Sequence, residues 1–253
     1  MNDIFSLKGK RVLVTGGTRG IGAAISKHFG QCGATIIANY VRDEKAANEL
    51  MESAQKDGWD LVLCRADLTG KKGLRRLVDV VEERVEKLSA LIHCAATGIH
   101  RPVTELTTRH FDWTFSLNIR AFFQLVTMLL PWLEKGSSII PISSQGAVQV
   151  LPSYALVGST KGALESFSRH LAAELAVKGI RVNIISPGSI LTDAWEAMPE
   201  KEKRIESTIK LTPLGRLVKA EEVAAAAQFL CSEAASGIVG HTLVVDGGRR
   251  IVG

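Results

Sequence analysis

The chain has 253 residues, of which 46% are hydrophobic and 23% are charged, with a net charge of +5. These values are ordinary for a soluble globular protein. No apolar stretch approaches the roughly 18 residues of a membrane span, and the N-terminus has no signal-peptide core. We therefore expect a cytoplasmic protein with no membrane partner.

The modest positive charge leaves several kinds of partner open. An acidic carrier protein or a phosphorylated ligand is compatible with it, as are nucleic acid and mere scattered surface Lys and Arg. We expect no nucleic-acid partner. The four cysteines lie far apart without a CxxC motif, so we expect free thiols, no disulfide framework and no metal site.

Short β-branched runs alternate with longer segments of helical periodicity. The predicted strands are 11–15, 35–39, 61–65, 90–93, 138–142, 181–185 and 242–245. The predicted helices lie near 21–32, 43–57, 71–87, 116–133, 154–178 and 220–231. This alternation predicts an α/β fold. We expect one domain (residues 1–253) with a Rossmann-type, doubly wound, seven-stranded parallel sheet and helices on both faces.

A glycine-rich turn follows the first strand and opens the first helix. Glycines there let the backbone turn sharply and approach a pyrophosphate, which binds the free N–H groups of the helix N-terminus. The position after a strand and before a helix makes dinucleotide binding a strong prediction. The candidate contacts are Gly16, Thr18, Arg19, Gly20, Ile21 and Gly22.

The end of the second strand indicates which dinucleotide binds. An NAD site usually offers an acidic residue there, but this chain has no carboxylate before Asp43. Arg42 and Arg19 suit a 2′-phosphate, which favours NADPH, unless either arginine is merely solvated. Asp67, followed by Leu68 after the third strand, is placed to accept from the adenine amino group. It can equally cap the next helix.

Ser144, Tyr154 and Lys161 are the candidate reacting groups. Ser144 ends the fifth strand at the carboxyl edge of the sheet, and Tyr154 and Lys161 lie on the next helix. A separation of seven residues returns to within ~20° of the same helix face. A lysine ammonium beside the phenol would lower its pKa and make it a proton donor. The alternative is a tyrosine at a helix start with its hydroxyl in water.

From residue 11 to residue 248 the chain resembles the short-chain dehydrogenase/reductase superfamily. Asn118, within Leu-Asn-Ile-Arg, matches the asparagine of the family's proton relay with the lysine. The resemblance further implies a nicotinamide-side loop formed by Pro187, Gly188, Ile190 and Thr192. Val-Val-Asp-Gly-Gly at 244–248 is similar to the family's closing strand.

Two departures from the family pattern concern the site. Where the family usually has Asn-Asn-Ala-Gly, this chain has His93-Cys94-Ala95-Ala96; we interpret His93 as structural and keep Ala95 as a cofactor contact. The interval from Ser144 to Lys161, 17 residues, is the ordinary one, so no insertion displaced the lysine. Within it Val157 occupies the usual tyrosine position, and the tyrosine stands three residues earlier.

Tyr-x6-Lys resembles the enoyl-acyl-carrier-protein reductases of this superfamily, and the chain is most similar to their NADPH-dependent type III (FabL-like) branch. The resemblance implies an acyl-carrier-protein-linked enoyl substrate, fatty-acid or related acyl synthesis, and a homotetramer formed through helices 116–133 and 154–178. It implies that Tyr154 stabilises the enolate and that Lys161 holds the cofactor ribose. Ser144 either lines the acyl pocket or assists the oxyanion.

The displaced tyrosine also has a physical reason. Ketone reduction places hydride and proton on bonded atoms, whereas in a 2-enoyl thioester hydride goes to C3 and charge develops on the distant thioester oxygen. A shift of three helical residues moves the tyrosine by ~4.5 Å, the right order for that change. The alternatives are a carbonyl reductase of the same superfamily, acting on a 3-ketoacyl group or another ketone, and a non-catalytic NADPH-binding regulator.

The charged segment 193–210 interrupts the strand–helix alternation. It follows the sixth strand, where a mobile substrate lid is expected, although an ordinary surface helix is an equal alternative. Positive residues in and after this segment are candidates for contact with an acidic carrier protein: Lys201, Lys203, Arg204, Lys210 and Arg216.

Overall fold

The computed structural model describes residues 3–191 and 201–252. Its strands are β1 (Arg11–Thr15), β2 (Thr35–Tyr40), β3 (Leu61–Arg65), β4 (Leu88–His93), β5 (Leu133–Pro141), β6 (Arg181–Val182), β7 (Ile184–Pro187) and β8 (Thr242–Val245). Its α-helices are α1 (Gly20–Gln31), α2 (Glu44–Asp57), α3 (Lys71–Arg84), α4 (Thr108–Phe115), α5 (Ala121–Leu129), α6 (Ala155–Ala176), α7 (Lys201–Lys210) and α8 (Ala220–Cys231). A π-helical turn, Ser116–Arg120, joins α4 to α5.

Six parallel strands form the main sheet in the order β3-β2-β1-β4-β5-β6. Alternate residues of β1 face opposite sides of it: Leu13 packs in a cluster with residues of α3, α5 and α6, while Val12 and Val14 pack in a cluster with residues of α1, α2 and α8. The predicted α/β fold with helices on both faces is thus confirmed. The strand order reverses between β1 and β4, which places a crevice at their carboxyl ends.

The predicted sixth strand differs in one respect, because it divides at Asn183 into β6 and β7. The Asn183 amide donates to the Ile238 carbonyl (2.8 Å) and accepts from the His241 backbone N–H (3.0 Å), which turns the chain toward β8. β7 then pairs with β8 in a second, two-stranded parallel sheet, so the described strands form sheets of six and two strands instead of the predicted single sheet of seven. The Ser143 N–H still donates to the Ile185 carbonyl (2.7 Å), so β7 stays beside the end of β5.

Helix boundaries refine two predictions. The helix predicted over 154–178 begins one residue later, so Tyr154 is its N-cap residue rather than part of its first turn. The helix predicted over 116–133 is the π-helical turn followed by α5 and a short 3-10 turn.

Part of the predicted lid lies outside the described residues. Residues 193–200 are not described, and the rest of the segment forms α7. The lid therefore stays a prediction. Within the described ranges, no helix combines the length and apolarity needed to cross a membrane.

Candidate functional site

The turn between β1 and α1 has the shape of a phosphate cradle. Gly16 and Gly20 adopt left-handed φ angles of 59° and 52°, which favour glycine. A Cβ on Gly22 would stand 2.0 Å from the Gly16 carbonyl oxygen, so only glycine allows this close approach. Arg19, the N-cap residue of α1, makes no side-chain cap in the described structure. The N-terminus of α1 therefore fits the pyrophosphate of a dinucleotide.

A cleft of about 600 Å³ opens above this turn at the carboxyl ends of β1, β2 and β4. We call it the cofactor cleft. Ten predicted cofactor residues line it: Gly16, Thr18, Arg19, Gly20, Ile21, Gly22, Arg42, Asp67, Leu68 and Ala95. The structure thus gathers residues from the loops after four strands, β1 to β4, around one space.

The nicotinamide-side loop lies elsewhere, at the end of β7. Pro187 ends that strand, and the Gly188 N–H donates to the Val245 carbonyl (2.9 Å). Ile190 is buried and bridges to Val218. Thr192 lies outside the described residues. Contact between this loop and the cofactor stays a prediction.

At the end of β2, where the adenosine would bind, the described residues present arginine side chains to the cleft and no carboxylate that is free to bind a ribose hydroxyl. The Asp43 carboxylate accepts from the Ala46 backbone N–H (2.9 Å) and caps α2. The Asn39 amide donates to the Ala66 carbonyl (2.9 Å), so it supports the strand ends. Arg19 and Arg42 are exposed on the cleft wall. This arrangement suits a 2′-phosphate.

Asp67 is held by its own loop. Its carboxylate accepts from the backbone N–H and the hydroxyl of Thr69, at 3.0 and 2.7 Å. The N-cap residue of α3 is Gly70, so Asp67 does not cap that helix. Its predicted contact with adenine remains compatible with its place in the cleft.

Replacing Arg42 with Ala is expected to raise the KM for NADPH at least tenfold while leaving the KM for NADH nearly unchanged. Loss of one charge-assisted bond to phosphate removes about 1.5–3 kcal/mol. Initial rates with each cofactor measure this. Arg84→Ala, which removes an exposed arginine at the end of α3, is the control. Equal weakening of both cofactors would contradict a 2′-phosphate contact.

Tyr154 and Ser144 meet at the start of α6. The Tyr154 hydroxyl donates to Ser144 Oγ (3.2 Å), which also accepts from the Gly146 N–H (3.2 Å). Burial raises the pKa of the Tyr154 phenol, and the bond to Ser144 opposes that rise only in part. The expectation that Lys161 lowers this pKa is therefore wrong, because desolvation of the phenolate dominates. The phenol keeps its proton at neutral pH and acts as a hydrogen-bond donor.

Lys161 is buried at 8% exposure, and its Nζ donates to the Ile142 carbonyl (2.7 Å). Burial lowers its pKa to about 8, against the opposing influence of Cys94 and Glu165. Ile142 lines the cofactor cleft and stands two residues before Ser144. Tyr154 and Lys161 therefore reach the same short segment after β5, as their spacing on one helix predicted.

Asn118 lies in the π-helical turn, and its side chain makes three hydrogen bonds. Its side-chain amide donates to the Thr97 carbonyl and to Thr160 Oγ1, both at 2.9 Å, and accepts from the Thr97 N–H at 2.8 Å. The side chain thus ties the loop after β4 to α6, one residue before Lys161. A direct side-chain bond to Lys161 is not part of this set, and the proton-relay role stays a prediction.

Val157 occupies the position of the usual tyrosine, and its side chain packs in the interior. Its side chain is 6% exposed and lies against the loop after β4. A Cβ on Gly98 would stand 2.1 Å from Val157 Cγ2, which shows how closely the two segments meet. This position holds no proton donor.

The His93-Cys94-Ala95-Ala96 segment keeps β4 joined to β1. The Thr15 hydroxyl lies 3.0 Å from His93 Nδ1 and accepts from the Ala95 N–H at 3.1 Å. Burial lowers the pKa of His93 to about 3, so the ring is neutral and shares one hydrogen bond with the Thr15 hydroxyl. The structure supports the structural interpretation of His93. Burial also raises the pKa of Cys94 to about 12, so its thiol is protonated.

All four cysteines are free, and the described residues hold no cluster of His, Cys, Asp or Glu placed to bind a metal.

Sequence reasoning missed two features beside Tyr154 and Lys161. A second cleft of about 500 Å³ is lined by Tyr154, residues 101–103 and residues 146–151, which no motif indicated. The buried Glu165 carboxylate accepts from the Ser143 hydroxyl (2.6 Å) one helical turn beyond Lys161. The sequence signal for Glu165 is an acidic residue next to Leu164, which is itself buried in α6.

Known proteins resemble this chain over nearly its whole length. A family model described as "Enoyl-(Acyl carrier protein) reductase" matches residues 16–250. The 7alpha-hydroxysteroid dehydrogenase of Escherichia coli (strain K12) is 34% identical over 98% of this chain and 96% of its own. The 1-cyclohexenylcarbonyl-CoA reductase of Streptomyces collinus is 31% identical over 95% of this chain and 86% of its own.

Solved structures agree in fold and differ in cofactor. A 7 alpha-hydroxysteroid dehydrogenase complexed with NADH and 7-oxo glycochenodeoxycholic acid has a TM-score of 0.92 at 32% identity, covering 98% of this chain and 97% of its own. L-sorbose reductase from Gluconobacter frateurii, complexed with NADPH and L-sorbose, has a TM-score of 0.91 at 30% identity and covers 98% of each chain. A nicotinamide cofactor is common to these two structures.

Proposed function

The chain belongs to the short-chain dehydrogenase/reductase superfamily of oxidoreductases, and on that premise we propose that it is an NADPH-dependent reductase of 2-enoyl thioesters, carried by an acyl carrier protein in fatty-acid or related acyl synthesis. One observation carries the proposal: Val157 fills the usual tyrosine position in the packed interior, while the Tyr154 hydroxyl stands at Ser144. The proton donor has thus moved along α6, as a substrate with a distant oxyanion requires.

In this proposal NADPH, when bound in the cofactor cleft, would supply the hydride that C3 of the substrate accepts. The C2–C3 π electrons then shift toward the thioester oxygen, which becomes the enolate oxygen. Tyr154 donates its hydroxyl hydrogen to that oxygen, and its raised pKa keeps the donor protonated. A solvent proton then adds at C2 while the O–H proton of the enol returns to the Tyr154 phenolate, which gives the saturated thioester. The substrate has then gained one hydride and one proton in all.

Lys161 and Ser144 have supporting roles. At pH 7 Lys161 is mostly charged, since its pKa is about 8, and its ammonium would hold the cofactor ribose while it donates to the Ile142 carbonyl. Ser144 Oγ accepts from Tyr154 in the structure and so keeps the phenol hydroxyl at the end of β5 until the substrate oxygen becomes its acceptor. Of its two predicted roles, this geometry favours assistance to the oxyanion.

A carbonyl reductase remains the second candidate, and the named relatives favour it. A hydroxysteroid dehydrogenase and a sorbose reductase are named for alcohol or ketone substrates, whereas the cyclohexenylcarbonyl-CoA reductase is named for an unsaturated acyl-CoA thioester. A ketone would need its oxygen to reach Tyr154, three helical residues from the usual place. A non-catalytic NADPH-binding regulator is the third candidate; the packing of Tyr154, Lys161 and Asn118 into one site argues against it.

Purified protein with NADPH and crotonyl thioester is expected to oxidise NADPH and give butyryl thioester. Acetoacetyl thioester, assayed separately, is expected to react at least tenfold more slowly, because its C3 oxygen is misplaced for Tyr154. Mass spectrometry of the products distinguishes added hydrogen at C2–C3 from a new C3 hydroxyl. Turnover of the keto substrate alone would establish the carbonyl reductase, and tight NADPH binding with no turnover of either would indicate the regulator.

The carrier protein and the homotetramer are parts of the same proposal. Of the positive residues considered for carrier contact, Lys210 pairs with Glu206 (2.8 Å), and Arg216 forms a two-point pair with Glu222 (2.7 and 2.9 Å). These pairs leave less free positive charge near α7 than the sequence indicates. A lower KM for crotonyl-carrier protein than for crotonyl-CoA would support carrier recognition.

A further inference from the structure

The aromatic ring of Tyr154 lies directly against Gly146. A Cβ built on Gly146 would stand 2.4 Å from Tyr154 Cε1 and 2.5 Å from Cδ1. Ordinary carbon–carbon contact begins at about 3.4 Å, so the ring occupies space that any other residue at 146 would fill. The same residue's N–H donates to Ser144 Oγ, the acceptor of the Tyr154 hydroxyl. Gly146 therefore touches both ends of the Tyr154–Ser144 contact.

Two further residues, Gly158 and Ser153, help to determine the position of the Tyr154 ring. Gly158, one turn along α6, carries no side chain, and a Cβ there would stand 2.7 Å from the Gly146 carbonyl oxygen and 3.4 Å from Tyr154 Cδ1. Ser153, immediately before Tyr154, has a φ of 58°, in the left-handed region that is strained for serine. The left-handed backbone at Ser153 thus directs the Tyr154 ring toward Gly146, and Gly158 of α6 lies beside both the ring and Gly146.

We propose that Gly146 is a positioning residue that fixes where the Tyr154 hydroxyl stands, and so sets the distance between hydride transfer and the stabilised oxygen. The inference rests on the proposed function for its consequence, which is selectivity for enoyl thioesters. Its physical basis is the contact of Gly146 with the ring. With a larger residue at 146, the ring has to leave and the hydroxyl separates from Ser144.

Gly146→Ala is a clean probe because its added carbon meets a side chain. The nearest atoms belong to the Tyr154 ring, followed by Leu151 Cδ1 at 3.3 Å. All three are side-chain atoms, and a ring retreat of about 1 Å would restore ordinary contact at 3.4 Å. At Gly158, by contrast, the added carbon meets a backbone oxygen and would disturb the fold.

We expect Gly146→Ala to lower kcat for crotonyl thioester about 100-fold, the usual order for a 1 Å misplacement of a reacting group. The affinity for NADPH and the melting temperature should change little. In the Tyr154→Phe background the same substitution should have no further effect on kcat, because the hydroxyl that it displaces is absent. Gly162→Ala is the matched control on α6, since its added carbon would meet only the Ala147 carbonyl oxygen at 3.4 Å.

Tyrosine ring NMR tests the displacement without any substrate. The chain has only two tyrosines, and Tyr154→Phe assigns their signals. Gly146→Ala should shift the Tyr154 signal and leave that of Tyr40 in place. An unshifted Tyr154 signal, or an equal loss of rate with and without the Tyr154 hydroxyl, would overturn the inference. If the wild type reduces only a keto thioester, the proposed function fails, while the NMR result still decides the role of Gly146.

Discussion

Tyr154→Phe is expected to lower kcat for crotonyl thioester about 1,000-fold while the Kd for NADPH stays within threefold. The substitution keeps the ring that rests on Gly146 and removes only the hydroxyl bonded to Ser144. Removal of one preorganised donor to a developing oxyanion costs about 10²–10³ in kcat. The proton donated by the same hydroxyl adds to that loss. Cofactor affinity should persist because Tyr154 does not line the cofactor cleft.

Stopped-flow turnover and fluorescence titration of NADPH measure the two quantities separately. Ser168→Ala is a suitable control, since it deletes a buried hydroxyl from the same helix that is bonded only to the Leu164 carbonyl among the described contacts. A fall in NADPH affinity equal to the fall in kcat would place Tyr154 at the cofactor instead of the substrate. Unchanged kcat would remove it from the chemistry altogether.

Lys161→Met is expected to lower kcat about 1,000-fold and yet to stabilise the fold. The ammonium contributes charge at the site only while it is protonated, and neutral Met removes it at every pH. In the wild type, kcat/KM should accordingly fall as the pH rises through about 8, the pKa of Lys161.

The stability effect follows from the same lowered pKa. An exposed lysine has a pKa of 10.5, so between pH 8 and 10.5 the folded protein binds fewer protons than the unfolded chain, and wild-type stability rises with pH. Below pH 8 the full cost of burying the charge is present, about 3 kcal/mol. The substitution also removes the hydrogen bond to the Ile142 carbonyl, which lowers the free energy of unfolding by about 1 kcal/mol. The variant should therefore be more stable by about 2 kcal/mol at pH 7, with the difference shrinking toward pH 10.5.

Thermal unfolding of both proteins from pH 6.5 to 10.5 measures this difference, a range set by the ordinary and lowered pKa values of lysine. Lys178→Met, an exposed lysine just beyond the end of α6, should change neither stability nor turnover appreciably. A melting temperature that is lower for Lys161→Met at pH 7 would show that Lys161 stabilises the fold, contrary to the cost of its burial.

Much of the fold was predictable because its signals are local. Six of the seven predicted strands lie where periodicity indicated, and the glycine turn after β1 was identified from its place between a strand and a helix. The division of the sixth strand at Asn183 was not predictable. It depends on bonds from the Asn183 amide to residues 238 and 241, more than 50 positions away.

The site shows the same division between local spacing and long-range contact. The seven-residue interval between Tyr154 and Lys161 predicted that their side chains meet, and both do reach the segment after β5, with Tyr154 as the N-cap residue of α6. The direction of the Tyr154 pKa shift came out opposite to expectation. A sequence gives the neighbouring charge but not the degree of burial, and here burial of the phenol is the larger influence.

The sequence by itself determined the superfamily fold, the cofactor turn and the displaced tyrosine, since each is set by residue type at a fixed spacing along one or two elements. Only the tertiary structure decided that Val157 is packed into the loop at Gly98 and that the Tyr154 ring rests on Gly146. Both contacts join segments that are separate in the chain, and close packing at such contacts depends on where two backbones meet in space.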